Sequence, residues 1–146
     1  VSGIALLDVN VLVALFHPDH INHDAAHAWF AANRSRGWAT SPLTENGVLR
    51  ILANSATFGD HHSPASLRTR LETLCSSDEH AFWPDKLSVL DDEFFNLSAV
   101  SHRQITDIYL LGLAVANGGR LATFDRRIPI EAVTNARRES LEIIGA

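Results

Sequence analysis

Four acidic side chains sit where apolar sequence would otherwise run on. Asp8 closes the apolar stretch Ile4-Ala5-Leu6-Leu7. Glu45 shares a helical spacing with Val48, Leu49 and Leu52, and Asp107 shares one with Leu110, Leu111 and Ala114. Asp125 closes Leu121-Ala122-Thr123-Phe124. A carboxylate on a buried face is costly unless something positive meets it. Close carboxylates also raise one another's pKa, so at least one of a group should hold its proton more tightly than in the unfolded chain. The natural counterions are hard divalent cations with oxygen ligands, Mg2+ or Mn2+. Such ions can activate a water and steady the leaving oxygen of an in-line displacement at phosphorus. Asp8, Asp107 and Asp125 are the expected metal ligands, with Glu45 either completing the site through water or positioning the attacking water. Asn10, Thr106 and Thr123 are placed to orient water or ligand oxygens around them.

These acids lie far apart in the chain, so the elements must bring them together. Ile4 to Leu7 lacks alternation, as a central parallel strand covered on both faces does. A helix is expected over Asn10 to Phe16 and another over Asn22 to Arg36. Gly37 to Thr40 reads as a strand. Ser41-Pro42 starts a helix, with serine as the N-cap and proline at the first helical position. A capping box would put its acid at residue 44, where Thr44 stands, which leaves Glu45 free of that duty. A loop over Thr57 to Ser63, with His61 and His62 solvated, precedes a helix from Pro64 through Leu67, Leu71 and Leu74. His80 to Trp83 reads as a third strand and Asp91 to Leu97 as a short helix with Phe94 and Phe95 inward. The Ser101/Gln104 pair marks the start of a helix apolar from Ile105 to Val115, and Asn117-Gly118-Gly119 stops it. A strand through Phe124, one helical turn over Pro129 to Val133 and a last strand over Ser140 to Ile144 complete the chain.

Strands alternating with helices imply an α/β fold, a central parallel sheet with right-handed crossovers and helices on both faces. In such a sheet strand ends and helix starts share one edge, where ligands bind. All four acids should therefore meet there. With 146 residues, residues 1–146 are expected to be a single domain with a substantial core.

Other features carry less. The net charge of −5 gives bulk electrostatics no part in binding nucleic acid. Eleven arginines against one lysine, Lys86, leave room for local phosphate-matching patches. No apolar run approaches a membrane span, no signal peptide is seen, and a lone Cys75 fits a reducing cytosol, so a cytoplasmic protein is expected. Cys75 itself reads as a small buried hydrophobe. His23 and His27 are spaced as in zinc proteases, but aspartate replaces the glutamate and no third ligand follows, so they read as part of an ordinary helix.

The ordered set Asp8-Val9-Asn10, SPLTENG around Glu45, Thr106-Asp107 and LATFD ending at Asp125 resembles the motif series of PIN-domain ribonucleases. More closely, the chain is similar to the VapC toxins of bacterial toxin–antitoxin pairs, actinobacterial members in particular, over essentially its whole length. The resemblance implies a PIN-like three-layer fold, an endoribonuclease dependent on Mg2+ or Mn2+, an RNA substrate and a small cognate antitoxin, in a homodimer or a toxin–antitoxin hetero-oligomer. Trp29, Phe30 and Phe16 of the early helices are expected to offer the antitoxin a groove, and the acidic pocket to accept a basic side chain from it. Two other classes fit the residues less well. A phosphotransfer domain also opens with strand and aspartate, but Asn10 stands where one type needs a second acid, and Lys86 is the only lysine for the other. A non-catalytic interaction domain could use the acids to bind a basic partner.

Overall fold

A computed structural model of the protein describes residues 3–54 and 62–145. The expected loop over Thr57 to Ser63, His61 included, falls mostly outside them. Five strands form one sheet: β1 (Ala5–Leu7), β2 (Trp38–Thr40), β3 (His80–Phe82), β4 (Arg120–Thr123) and β5 (Leu141–Ile143). Their order is β3-β2-β1-β4-β5, and every pairing is parallel. The helices among the described residues are α1 (Val9–Phe16), α2 (His23–Asn33), α3 (Pro42–Leu52), α4 (Pro64–Cys75) and α5 (Ile105–Ala116).

Successive strand residues point to opposite faces, and each face has its own core. Ala5, Leu7, Trp38 and Ala122 pack under α1, α2, α3 and α4, with Phe16, Phe30, Leu52, Leu67 and Leu71. Leu6, Ala39 and Leu121 face the opposite way, towards Ile108, Leu110, Leu111 and Leu113 of α5 and Phe95 and Val133. This is the three-layer arrangement the alternating sequence implies. It also explains why β1 and β4 show no alternation of exposed and buried positions: both sides of these strands are buried.

Local chemistry sets the ends of the elements that carry the acids. Ser41 caps α3 and Thr44 answers it, its hydroxyl accepting from Ser41 N at 2.9 Å, so threonine closes the capping box. A short 3-10 turn (His102–Gln104) precedes α5, bounded by the Ser101/Gln104 box. At the other end of α5, Gly118 takes φ +70 and Gly119 N bonds back to Ala114 O at 2.9 Å. Gly112 within α5 is there for space, because a Cβ would come within 2.5 Å of the Phe95 ring.

Two expectations need correction. Asp91 to Leu97 is not a helix. Asp91 Oδ1 accepts from Glu93 N and Phe94 N, and Phe95 forms an isolated antiparallel bridge with Val133. An aspartate side chain that satisfies the next backbone donors offers the chain a turn instead of a helix. The helix expected to Arg36 becomes 3-10 over Arg34–Arg36 before Gly37, at φ +96. No helix among the described residues is long and apolar enough to cross a membrane.

Candidate active site

Asp8 is the N-cap of α1 and the residue directly after β1, only 4% exposed. Both of its oxygens are engaged: Oδ1 accepts from Val9 N at 2.7 Å and Oδ2 from the Thr123 hydroxyl at 2.7 Å. Thr123 ends β4, the strand paired with β1. Its oxygen also accepts from Asp125 N at 3.0 Å and from Asn10 Nδ2 at 3.3 Å. Asn10 Oδ1 in turn takes the Phe124 N–H at 3.4 Å. One buried hydroxyl therefore ties together the ends of two neighbouring strands and the start of α1.

Asp107 lies in the first turn of α5, half-buried. Burial, then the charges of Asp8 and Asp125 and a hydrogen bond with Asp125, pushes its carboxyl up to about 7, against a smaller opposing pull from Arg127. Burial also raises Asp8 above the ordinary carboxyl range, against the hydrogen bonds from Thr123 and Val9, while the Asp125 charge raises it further. Asp8 and Asp107 thus both hold a proton more tightly than an isolated carboxyl, in a group formed by Asp8, Asp107 and Asp125. All the donors of this group are hard oxygens crowded by like charge, and that fits Mg2+ or Mn2+.

Glu45 does not join them in the way the sequence suggested. Its Oε2 accepts from the Thr40 hydroxyl at 2.7 Å, and its charge acts on His80 and Cys75. The reason is its place in α3: Ser41 directs the helix start, and Glu45 hangs over the end of β2 on the side of β3 and α4. Thr106 is exposed on the wall of a cavity of about 500 Å3 that also holds Asp8, Asn10, His20, Arg50 and Asp107.

Sequence reasoning missed the polar rim of this cavity. His20 Nδ1 accepts from Asn22 N at 3.0 Å, so its neutral ring carries its proton on Nε2. Burial and the neighbouring His17 and His23 hold its pKa below the usual value, keeping it neutral. Arg126 and Arg127 border a second hollow with Asn10, His20 and Asp125, and His102 and Arg103 a third with Asp125 and Arg127. The cations are thus local to the site although the chain is acidic overall. The excess of arginine over lysine and the adjacent Arg126-Arg127 were the legible signals.

The His23/His27 pair has a structural use. His23 Nδ1 bonds Ala14 O at 2.7 Å and His27 Nε2 bonds Leu15 O at 2.8 Å, while Arg70 Nη2 donates to Phe16 O at 3.0 Å. Three orphan carbonyls at the end of α1 are satisfied from α2 and α4. Trp29, Phe16 and Phe30 are likewise less available than expected. Phe16 and Phe30 are each 6% exposed in the core, and Trp29 gives its indole N–H to Glu142. What remains accessible is a groove of about 400 Å3 between α1, α2 and α4, with Leu15, Phe16, Phe30, Arg70 and Leu74 along it.

Residues 5–133 match the PIN domain. The chain is similar to Ribonuclease VapC39 of Mycobacterium tuberculosis, 45% identical over 122 residues, 83% of this chain and 88% of that protein. It is 40% identical to Ribonuclease VapC44 of the same organism over 141 residues, 94% and 96% of the two chains. With Ribonuclease VapC38, again from that organism, identity is 44% over 121 residues, 83% and 84%.

Proposed function

This chain belongs to the PIN-domain family, and from that premise we propose that it is an endoribonuclease of the VapC type, the toxin of a type II toxin–antitoxin pair. The observation that carries the reading is the aspartate group at the carboxyl edge of the sheet, in which Asp107 is crowded enough to keep its proton up to about 7. We take residues 1–146 as a single nuclease domain acting on RNA in the cytoplasm, with Mg2+ or Mn2+ as its cofactor.

Asp8, Asp107 and Asp125 would hold the ion, which supplies an activated water and charge neutralisation at a phosphodiester. The chain's own residues do the rest. Thr123 and Val9 N fix both oxygens of Asp8, so the ligand needs little reorganisation when the ion arrives. Asn10 and Asp125 N hold Thr123 in turn. Arg50, Arg126 and Arg127 surround the hollows with cationic donors suited to phosphate oxygens. Neutral His20 can donate to a non-bridging oxygen without adding charge. Glu45 is assigned to positioning the attacking water, a role that requires its side chain to leave Thr40 and turn towards the cavity.

The partner of this reading is a small antitoxin. The groove between α1, α2 and α4 is apolar with Arg70 at its side, which suits an amphipathic helix carrying an acidic residue. A basic side chain from the same partner would pair with the aspartates and exclude both metal and RNA. Assembly as a homodimer or a toxin–antitoxin hetero-oligomer is part of the proposal.

Incubation of purified protein with RNA and Mn2+ or Mg2+, beside Asp8→Asn, tests the activity. Cleavage by the parent that chelation and Asp8→Asn both abolish is the expected result. Equal cleavage by the folded variant would remove the assignment.

A further inference from the structure

Glu45 is kept from the aspartate group by Thr40, which is fully buried at the end of β2 and donates its hydroxyl to Oε2 at 2.7 Å. The same hydroxyl oxygen stands 2.8 Å from His80 Nε2, on the neighbouring strand β3. Trp38 packs against the His80 ring, with centroids 4.6 Å apart, and keeps it facing Thr40. The ring also bonds the Cys75 backbone at the end of α4. That bond favours the charged ring, so the Cys75 group is the carbonyl, which only accepts.

This run of contacts is one proton short. The Cys75 carbonyl requires the ring proton on Nδ1, and in a neutral imidazole Nε2 is then an acceptor. Burial, the chief influence, lowers the His80 pKa and favours the neutral ring, against the Glu45 charge and the Cys75 bond. The Thr40 hydroxyl therefore has a single proton for two acceptors, Glu45 Oε2 at 2.7 Å and His80 Nε2 at 2.8 Å. The distances are nearly equal, so the hydroxyl can turn about its Cβ–Oγ1 bond from one to the other. When it turns to His80, Glu45 loses the bond that holds it at the end of β2.

We propose that Thr40 and His80 are positioning residues for Glu45: His80 Nε2 draws the Thr40 hydroxyl away from the carboxylate and so releases Glu45 to the attacking water. This rests on the reading of Glu45 as the residue that positions that water. No proton leaves its atom in the exchange, and the ring stays neutral throughout.

Long-range 1H–15N NMR of the full chain tests the premise without any RNA. With His80 assigned by the signal lost in His80→Gln, its ring should carry the proton on Nδ1 at neutral pH, and a proton on Nε2 would overturn the proposal. RNA cleavage at saturating Mn2+ tests the release, with fold checked by circular dichroism. His80→Leu leaves Glu45 as the sole acceptor for the hydroxyl and should lower kcat about 10–100-fold, with KM little changed. His80→Gln, whose amide oxygen can accept from Thr40, should keep more of the rate. Adding Thr40→Val to His80→Leu removes the hydroxyl that holds Glu45 and should return most of the loss. A merely structural role predicts the reverse, because a second buried partner is then missing. Glu45→Gln separates the two levels. Parental cleavage by Glu45→Gln would remove Glu45 from the reaction, and the release with it. Loss in Glu45→Gln beside a parental rate in His80→Leu, or a double variant slower than His80→Leu, would overturn the release alone.

Discussion

Thr123 donates its hydroxyl to Asp8 Oδ2 at 2.7 Å, from the end of one central strand to the end of its neighbour. The two residues are 115 positions apart in the chain. The same oxygen holds Asp125 N and Asn10, so Thr123 is the point through which the aspartate group is aimed. Thr123→Val keeps the shape and removes the hydroxyl. It should lower metal affinity and RNA cleavage by about 10–100-fold, the range found when a ligand loses its supporting hydrogen bond, with secondary structure unchanged. Calorimetric Mn2+ titration beside circular dichroism checks this, and an affinity equal to wild type would mean that Asp8 is held by Val9 N alone.

The pH dependence follows from Asp107, whose carboxyl is raised from 3.8 to about 7. The folded form therefore binds this proton more tightly than the unfolded chain does. Its contribution to stability is fully present below about pH 4 and is lost as pH rises through about 7. Asp8, also raised, acts in the same direction. In chelator, wild type should lose melting temperature relative to Asp107→Asn as pH is increased from 5 to 8. Mg2+ competes with the same proton, so its affinity should climb over that interval and its stabilising effect with it. Parallel melting curves for the two proteins across this range would contradict the crowding of Asp107.

Arg120 is an arginine kept for the fold. It is 5% exposed, bonds Glu142 Oε1 at 2.6 Å and Gly3 O at 2.6 Å, and shares Glu142 with the Trp29 indole. Arg120→Ala leaves Glu142 and a backbone carbonyl without their cation. The cost should be about 3 kcal/mol, the low end for breaking a buried pair, since Glu142 keeps some solvent. Chemical denaturation measures it; a loss well under about 1 kcal/mol, the range of surface pairs, would show the pair to be solvated.

For His23 and His27 the prediction separates ligands from caps. Each closes a carbonyl at the end of α1. The single alanine variants should each cost about 1 kcal/mol and leave bound metal unchanged. Loss of metal with stability intact would reverse the assignment.

Gly112 tests the packing under the catalytic helix. A methyl group there meets Phe95 at 2.5 Å and Phe94 at 3.1 Å. Gly112→Ala should destabilise by about 1–3 kcal/mol despite alanine's better helix propensity, and Phe95→Leu should recover part of the loss. A neutral Gly112→Ala would mean that the aromatic pair moves aside freely.

The sequence by itself determined the alternation of elements, because hydrophobic runs without polar faces, serine and proline at helix starts and glycine at helix ends are local signals. Ser41-Pro42, Ser101/Gln104 and Gly118 each act within a few residues of themselves. It also determined that Asp8, Asp107 and Asp125 would share an edge, since parallel crossovers leave strand ends and helix starts nowhere else to go. What only the tertiary structure decided was the direction of side chains at the helix starts and who meets them there. Glu45 has the same sequence credentials as Asp107, a first-turn acid on an apolar stripe. Yet Asp107 is pressed against two aspartates, while Glu45 is caught by Thr40 beside Cys75 and His80. The His-rich stretch was similarly undecided until α2 packed on the end of α1 and gave both rings a carbonyl. Spacing fixes a residue's place on its own helix; which polar group stands opposite depends on contacts between segments far apart in the chain.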